Sequence, residues 1–500
     1  MRRTALIALL LCSLRLCAAA APPPGSGHFA LSAAFREGYR KALSLRFGEA
    51  RSALTRMQQT EPHNLLSVLL ENYLDFLHLY LGDQPDDFKP LSRKMSARIQ
   101  RIADTGDRAS PWYRYCQAEI RLQWAILYGR NNDYLSSLSD IKQAYALLEE
   151  NTRLHPDFIA NQKSLGVMHA LAGNVPDEYK WALRLLGGMK GSTEQGLREL
   201  ESVMAHARQQ DFVFETEATV MYALLQLHLN NQGEVAWKAL KNSKMDAASD
   251  PMAAYVLASV AMRTGRNDEA IQYLQHCPAG AQYPPFIARH YLLGLAKLRR
   301  LDADAQQPLL QYLQQWKGKA GIKEAYQKLA WHRLLQGDEA AYRSTMSQAK
   351  QHGSNKSEGD QAAQREAARG TPPDRRLLRA RLLFDGGYYL RAYETLKNTA
   401  VHYAADPQHH LEYTYRMGRI LQKLGKADEA QRHYQKTIER GAGDKAYFAC
   451  NAALQLGLLH EERGQPQQAR EAYQQCLRLH PDEYASSLHA QAKARLSRLR

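Results

Sequence analysis

Two stretches near the C-terminus repeat one another. Residues 411–444 read LEYTYRMGRILQKLGKADEAQRHYQKTIERGAGD, and residues 450–483 read CNAALQLGLLHEERGQPQQAREAYQQCLRLHPDE. Gly418 aligns with Gly457, Gly425 with Gly464, Ala430 with Ala469 and Tyr434 with Tyr473, every pair 39 residues apart. In each unit apolar residues recur at helical period, a glycine ends the first helix, and a second helix of similar length follows. Gly418 and Ala430 are then small residues where two antiparallel helices approach closely. Tyr434 and Tyr473 fill the wider gap beside them, and Pro481 stops the last helix. By length alone, 500 residues suggest about three compact domains of roughly 150 residues. A repeat replaces that expectation with an elongated array in which each unit buries its apolar face against its neighbours.

The pattern resembles the tetratricopeptide repeat, a helix-turn-helix of about 34 residues with small residues at about positions 8 and 20, an aromatic at about 24 and a proline at about 32. Weaker copies run upstream. Gly38, Ala50, Leu54 and Pro62 keep the spacing, as do Ala144, Leu148 and Pro156, then Gly265, Ala270 and Leu274, then Gly387, Ala392 and Leu396. The resemblance implies an all-α solenoid of roughly eight to ten helical hairpins wound into a right-handed superhelix. The stretch LGVMHALAGNVPDEYKWALRLLGGMKGSTEQGLREL also resembles the tetratricopeptide family that includes the inclusion-body clearance protein, through Gly166, Val175, Pro176, Leu185, Leu186, Gly187, Gly196 and Leu197. Members of that family are described as adaptors tied to lipid handling and aggregate clearance. A secretory signal sets this chain apart from them and makes it more similar to secreted bacterial tetratricopeptide proteins.

That signal occupies residues 1–20. Arg2 and Arg3 precede an apolar run from Ala5 to Leu14, and Ala18, Ala19 and Ala20 offer a small-residue cleavage site. The expected destination is the periplasm or the face of an outer membrane. Cleavage removes three arginines, taking the formal net charge from +15 to +12. A basic chain invites anionic neighbours, and export makes nucleic acid an unexpected one. Residues 21–350 then form an N-terminal array with a short amphipathic helix inserted at 174–187. Residues 351–374 are polar, lack a core stripe and read as an exposed insertion or linker. Residues 375–500 carry the C-terminal repeats.

Chemical signatures are sparse. G-x-S-x-G, the phosphate-binding G-x-x-x-x-G-K-[ST], H-E-x-x-H and G-x-G-x-x-G are all missing. The expectation is a non-catalytic binding protein without cofactor or metal, with an enzyme built on an unrecognised site as a further alternative. His402, His409 and His410 read as solvated loop histidines beside Pro407, because no nearby cysteine completes a metal site. Cys450 and Cys476 lie at the start of one helix and the end of its partner, a candidate disulfide pair; two buried free thiols are the favoured reading.

The tetratricopeptide resemblance places groove-lining residues at positions 2, 5, 9, 12 and 13 of each first helix. In one unit these are Glu412, Tyr415, Arg419, Gln422 and Lys423. In the next they are Asn451, Leu454, Leu458, Glu461 and Glu462. Such a mixture suits an extended or helical peptide from an unknown protein partner. The lysine and asparagine that chaperone-tail receptors place at positions 5 and 9 are absent. Tyr179, Trp181, Leu183 and Leu186 give the inserted helix an apolar side. That side either packs into the array or docks on a hydrophobic partner or lipid surface.

Overall fold

The computed structural model describes residues 27–82, 85–175 and 188–499, and among these it contains 24 α-helices and no strand. They are α1 (Ala33–Leu43), α2 (Phe47–Thr60), α3 (Leu66–Gly82), α4 (Pro85–Thr105), α5 (Pro111–Arg130), α6 (Tyr134–Leu154), α7 (Ala160–Ala172) and α8 (Thr193–Gln209). There follow α9 (Glu215–His228), α10 (Gly233–Lys241), α11 (Pro251–Arg263), α12 (Asn267–Gln275), α13 (Ala288–Arg300), α14 (Gln306–Gln315), α15 (Ile322–Leu335) and α16 (Glu339–Gln351). The last eight are α17 (Glu358–Arg369), α18 (Arg375–Asp385), α19 (Tyr389–Leu396), α20 (Pro407–Lys423), α21 (Ala427–Gly441), α22 (Phe448–Glu462), α23 (Pro466–Arg478) and α24 (Ala485–Arg498). Each helix packs mainly on its neighbours in sequence, which makes the molecule a helical-hairpin solenoid of the tetratricopeptide kind. The expected signal peptide lies outside the described residues.

Local chemistry sets the helix ends. Asp406 caps α20 by accepting from the amides of Gln408 and His409, and Pro407 at the first helical position needs no partner for its nitrogen. The helix therefore starts four residues earlier than the repeat at Leu411, and it carries His409 and His410 on its first turn rather than in a loop. Gly425 and Gly464 close the turns after α20 and α22 at φ of 75° and 67°, the left-handed region that favours glycine.

The hairpins interlock through small residues. A Cβ on Gly418 would lie 2.7 Å from the Tyr434 ring, and one on Gly457 would collide with Tyr473. Ala430, Tyr434, Ala469 and Tyr473 are fully buried. The upstream copies obey the same rule, since Ala50, Ala144, Ala270 and Ala392 are also buried completely. Helices α7 and α8 cross backbone to backbone at Gly166 and Gly196. The core is accordingly a series of separate apolar clusters along the array.

Residues 351–374 depart from expectation. Helix α17 is a packed element, with Asp360, Ala363, Glu366 and Ala367 buried against α15 and α16. Its buried stripe is made of alanines and satisfied carboxylates, so no large apolar residue marks it. Glu366 accepts hydrogen bonds from Gln327 (2.7 Å), Trp331 (2.8 Å) and Tyr342 (2.9 Å). Asp360 accepts from the amides of Gly321 and Glu324 at the start of α15.

Among the described residues, no helix is long and apolar enough to cross a membrane.

Candidate functional site

The first helices of the hairpins, α11, α13, α15, α18, α20 and α22, pack on one another along the array, with α13 touching both α15 and α18. Between α18, α20 and the start of α22 lies a cavity of about 100 Å³ lined by Arg381, Phe384, Asp385, Tyr415, Arg416, Arg419 and Tyr447. Tyr415 is held rigidly, its ring centre 5.2 Å from Phe448 and 5.8 Å from Tyr447. Its hydroxyl accepts a hydrogen bond from Arg419 at 3.1 Å, while the Arg419 guanidinium lies 5.0 Å over Phe384. Arg416 is occupied by Glu412, donating from Nε at 2.7 Å. Arg381 lies 4.9 Å over the Trp331 ring and 3.9 Å from the Asp385 carboxylate.

Cations continue along the array. Lys328 on α15 is buried, with Nζ 3.9 Å from the centre of the Trp331 ring and 2.8 Å from the Gln327 side-chain oxygen. Burial drives its pKa down to about 8; Arg381 and Arg299 push the same way, and the carboxylates of Glu324 and Glu366 only partly offset them. On α13, Arg299 donates to the Met262 carbonyl at 3.4 Å, and its Nε is buried without a hydrogen-bond partner. At the end of α11, burial and the neighbouring Arg299 hold Arg263 below the usual guanidinium range.

The groove candidates therefore separate. Tyr415 and Arg419 line the cavity and Glu412 orients one of its arginines, whereas Gln422 accepts from Tyr434 (2.6 Å) inside the hairpin and Lys423 is exposed. In the next unit Asn451 accepts from Gln455 (3.1 Å), Leu454 is only 2% exposed in the core and Leu458 packs against it. Glu461 accepts from Tyr473 (2.8 Å) and pairs with Arg495 of α24 (3.1 Å), which leaves Glu462 exposed at the edge. The expectation that Leu454 faces a ligand is thus corrected by its place in the core. Tyr179, Trp181, Leu183 and Leu186 lie outside the described residues.

Cys450 and Cys476 are both buried free thiols with sulfurs 3.6 Å apart. Among the described residues, no group of three histidine, cysteine or carboxylate side chains is arranged to hold a metal.

Sequence reasoning missed a second polar cluster, deep in the N-terminal half. Lys163 on α7, completely buried, reaches Glu119 of α5 at 2.8 Å and Glu217 of α9 at 3.1 Å. Tyr39 of α1 and Tyr73 of α3 donate to Glu217 at 2.7 and 3.0 Å, and Ser164 donates to Glu119. Phe214 lies under the ammonium at 5.0 Å. Burial disfavours the Lys163 charge, but the two carboxylates outweigh that penalty and raise its pKa. Five helices meet at this cluster, where two carboxylates share one ammonium and the nearby Tyr115 hydroxyl is buried without a hydrogen-bond partner. It acts as an internal clamp.

A family model described as tetratricopeptide repeat matches residues 411–482, and a second of the same description matches 253–277. No curated protein sequence matches the chain. Among solved structures, the chain is similar to the human IFIT1 dimer with m7Gppp-AAAA at 14% identity and a TM-score of 0.31, over 94% of this chain and 90% of that one. It is similar also to the tetratricopeptide domain of P58(IPK) at 15% identity and a TM-score of 0.21, over 84% of this chain and 98% of that one. Likenesses this loose transfer neither ligand nor partner.

Proposed function

We propose that this tetratricopeptide-repeat protein is an exported, non-catalytic scaffold that binds a segment of a partner protein on its inner face, in the periplasm or at a membrane surface. The supporting observation is the cavity between α18 and α20. Tyr415 and Arg419, at positions 5 and 9 of their repeat, line it, and the aromatic packing around them presets its shape. Preset side chains reduce the ordering cost of binding.

Crosslinking of intact cells followed by mass spectrometry tests the reading. A reproducible protein crosslinked to α18 or α20, and lost in Arg419→Ala, is the expected result. Turnover in a broad substrate screen, or the absence of any crosslink to these helices, overturns it. A second reading, carriage of a lipid or other apolar ligand, draws on a cleft of about 450 Å³ lined in part by Leu45, Phe47, Pro284, Phe286, Ile287 and Trp316. Lipid copurifying with the protein, and lost on Phe286→Asp, would favour it.

A further inference from the structure

We propose that Cys450 and Cys476 are a disulfide site, oxidised by a low-molecular-weight disulfide, that fastens α22 to α23. The proposal goes beyond the scaffold reading and does not depend on it.

Antiparallel packing brings the start of α22 against the end of α23. Cys450 is the third residue of α22, and Cys476 is the third from the end of α23. Their sulfurs lie 3.6 Å apart, and Cys450 Sγ also donates to the Cys476 carbonyl at 3.5 Å. One thiol therefore lies against both the side chain and the backbone of the other. A disulfide bond is about 2.05 Å long, so about 1.5 Å of approach remains, which rotation of the two side chains supplies. The other two described cysteines have no such neighbour. Cys116 is buried in the N-terminal apolar cluster, and the Cys277 thiol faces the carbonyls of Pro251 and Pro278. Among the described residues, no third histidine, cysteine or carboxylate joins Cys450 and Cys476 to hold a metal. What the two sulfurs offer is a bond to each other.

Cys450 is 1% exposed and Cys476 is fully buried, so an oxidant reaches them only through an opening. Helix α24 supplies one. It covers Cys476, whose sulfur lies 4.0 Å from the Leu488 carbonyl, yet it buries only Leu488 and Ala492. An element held by so few buried groups opens locally while the rest stays folded. The hydrogen bond from Cys476 favours the Cys450 thiolate and holds Cys450 below the usual thiol range; the same bond, then burial, holds Cys476 above it. Cys450 accordingly reacts first. Its thiolate attacks one sulfur of the oxidant's disulfide, and the thiol released takes up the proton that Cys450 gave up. Cys476 then loses its proton and displaces the second oxidant sulfur from Cys450, which forms the S–S bond. Two protein thiols are oxidised by two electrons, and one small disulfide is reduced to two thiols. The bond joins positions 26 residues apart, so it restricts the unfolded repeat more than the folded one.

Thiol trapping on the full chain tests this. The protein is equilibrated natively in glutathione buffers from reduced to oxidised, quenched in acid, denatured and alkylated, and its proteolytic peptides are weighed. Cys450 and Cys476 should escape alkylation together and appear as one cross-linked pair of peptides, while Cys116 and Cys277 stay alkylated. Oxidation should slow amide exchange in α22 and α23 by about tenfold or more, and Cys476→Ser should abolish that difference. The parent's peptide masses need no variant, so the test stands even where Cys476→Ser unfolds the repeat. Full alkylation of both cysteines in the most oxidising buffer, separate glutathione adducts on each without a cross-link, or equal oxidation of Cys116 and Cys277 would each overturn the proposal. Closure in buffer by protein whose two thiols are both free when taken from cells supports the site and counts instead against export.

Discussion

Lys163 and Lys328 are both buried lysines on first helices of the array, and their surroundings are opposite. Two carboxylates and three hydroxyl donors enclose Lys163, and its pKa is raised above the usual lysine value of 10.5. Lys328 has a pKa of about 8, because burial, helped by Arg381 and Arg299, outweighs the carboxylates of Glu324 and Glu366. The first environment is organised for stability: five helices converge on one ammonium held by two carboxylates. The second tolerates repulsion that the fold alone does not require. Proteins that break their own electrostatic consistency tend to do so where they bind something. The contrast separates a lysine whose surroundings favour its charge from one whose burial disfavours it.

Removing the clamp should have the largest effect. Lys163→Met leaves Glu119 and Glu217 buried without their cation, and the expected loss is about 3–5 kcal/mol. Urea unfolding should show it, with hydrogen exchange accelerating first in α1, α3, α5, α7 and α9. A loss below about 1 kcal/mol would mean that the aromatic packing alone holds these helices. In the C-terminal repeats the comparable test is steric. Gly457→Ala pushes a methyl into the Tyr473 ring and should cost about 1–3 kcal/mol by overpacking. Its damage should stay within the last repeats, because cooperativity along an array passes only through neighbours.

The two lysines also predict opposite responses to pH. Lys163, with its folded pKa above the unfolded value, contributes stability that is complete below pH 10.5 and is lost as pH rises through the folded value. Lys328, with its folded pKa below the unfolded value, imposes a penalty that is complete below about pH 8 and fades as pH approaches 10.5. Lys328→Met should therefore stabilise the protein at pH 7, and its advantage over the parent should shrink by pH 10. An advantage that stays constant across that range would show that Lys328 does not titrate as its surroundings imply. At the acid end, burial lowers the pKa of His433 on α21 to about 4, so its contribution to the C-terminal repeats should be lost as pH falls from 6.5 towards 4. Exchange rates in α20 and α21 should record this loss, and His433→Gln should flatten it.

How much of this could be read from the sequence follows from how local each signal is. Gly418, Ala430, Tyr434 and their counterparts lie within one unit, so their spacing exposed the hairpin and the packing of its helices. Arg419 and Tyr415 were reachable for the same reason, through their positions in the repeat. The clamp unites residues 119, 163 and 217, which no period connects, and a charged residue in a helix reads as solvated until the helices around it are known. The cations of the inner face lie at unequal intervals because α17 interrupts the alternation of hairpins. That helix was itself hidden, since Ala363 and Ala367 bury a face without the bulk that marks a core.

Arg263 and Arg299 disfavour each other's charge, so neither is expected to add to stability. Thermal unfolding of the protein with Arg263 and Arg299 both changed to glutamine tests this most directly. The expected Tm is equal to or above that of the parent, because relief of the repulsion between the two offsets the packing lost at half-buried Arg299, and Arg263 is exposed. A fall of several degrees, approaching that caused by Lys163→Met, would show that these arginines hold the fold together and would contradict the account.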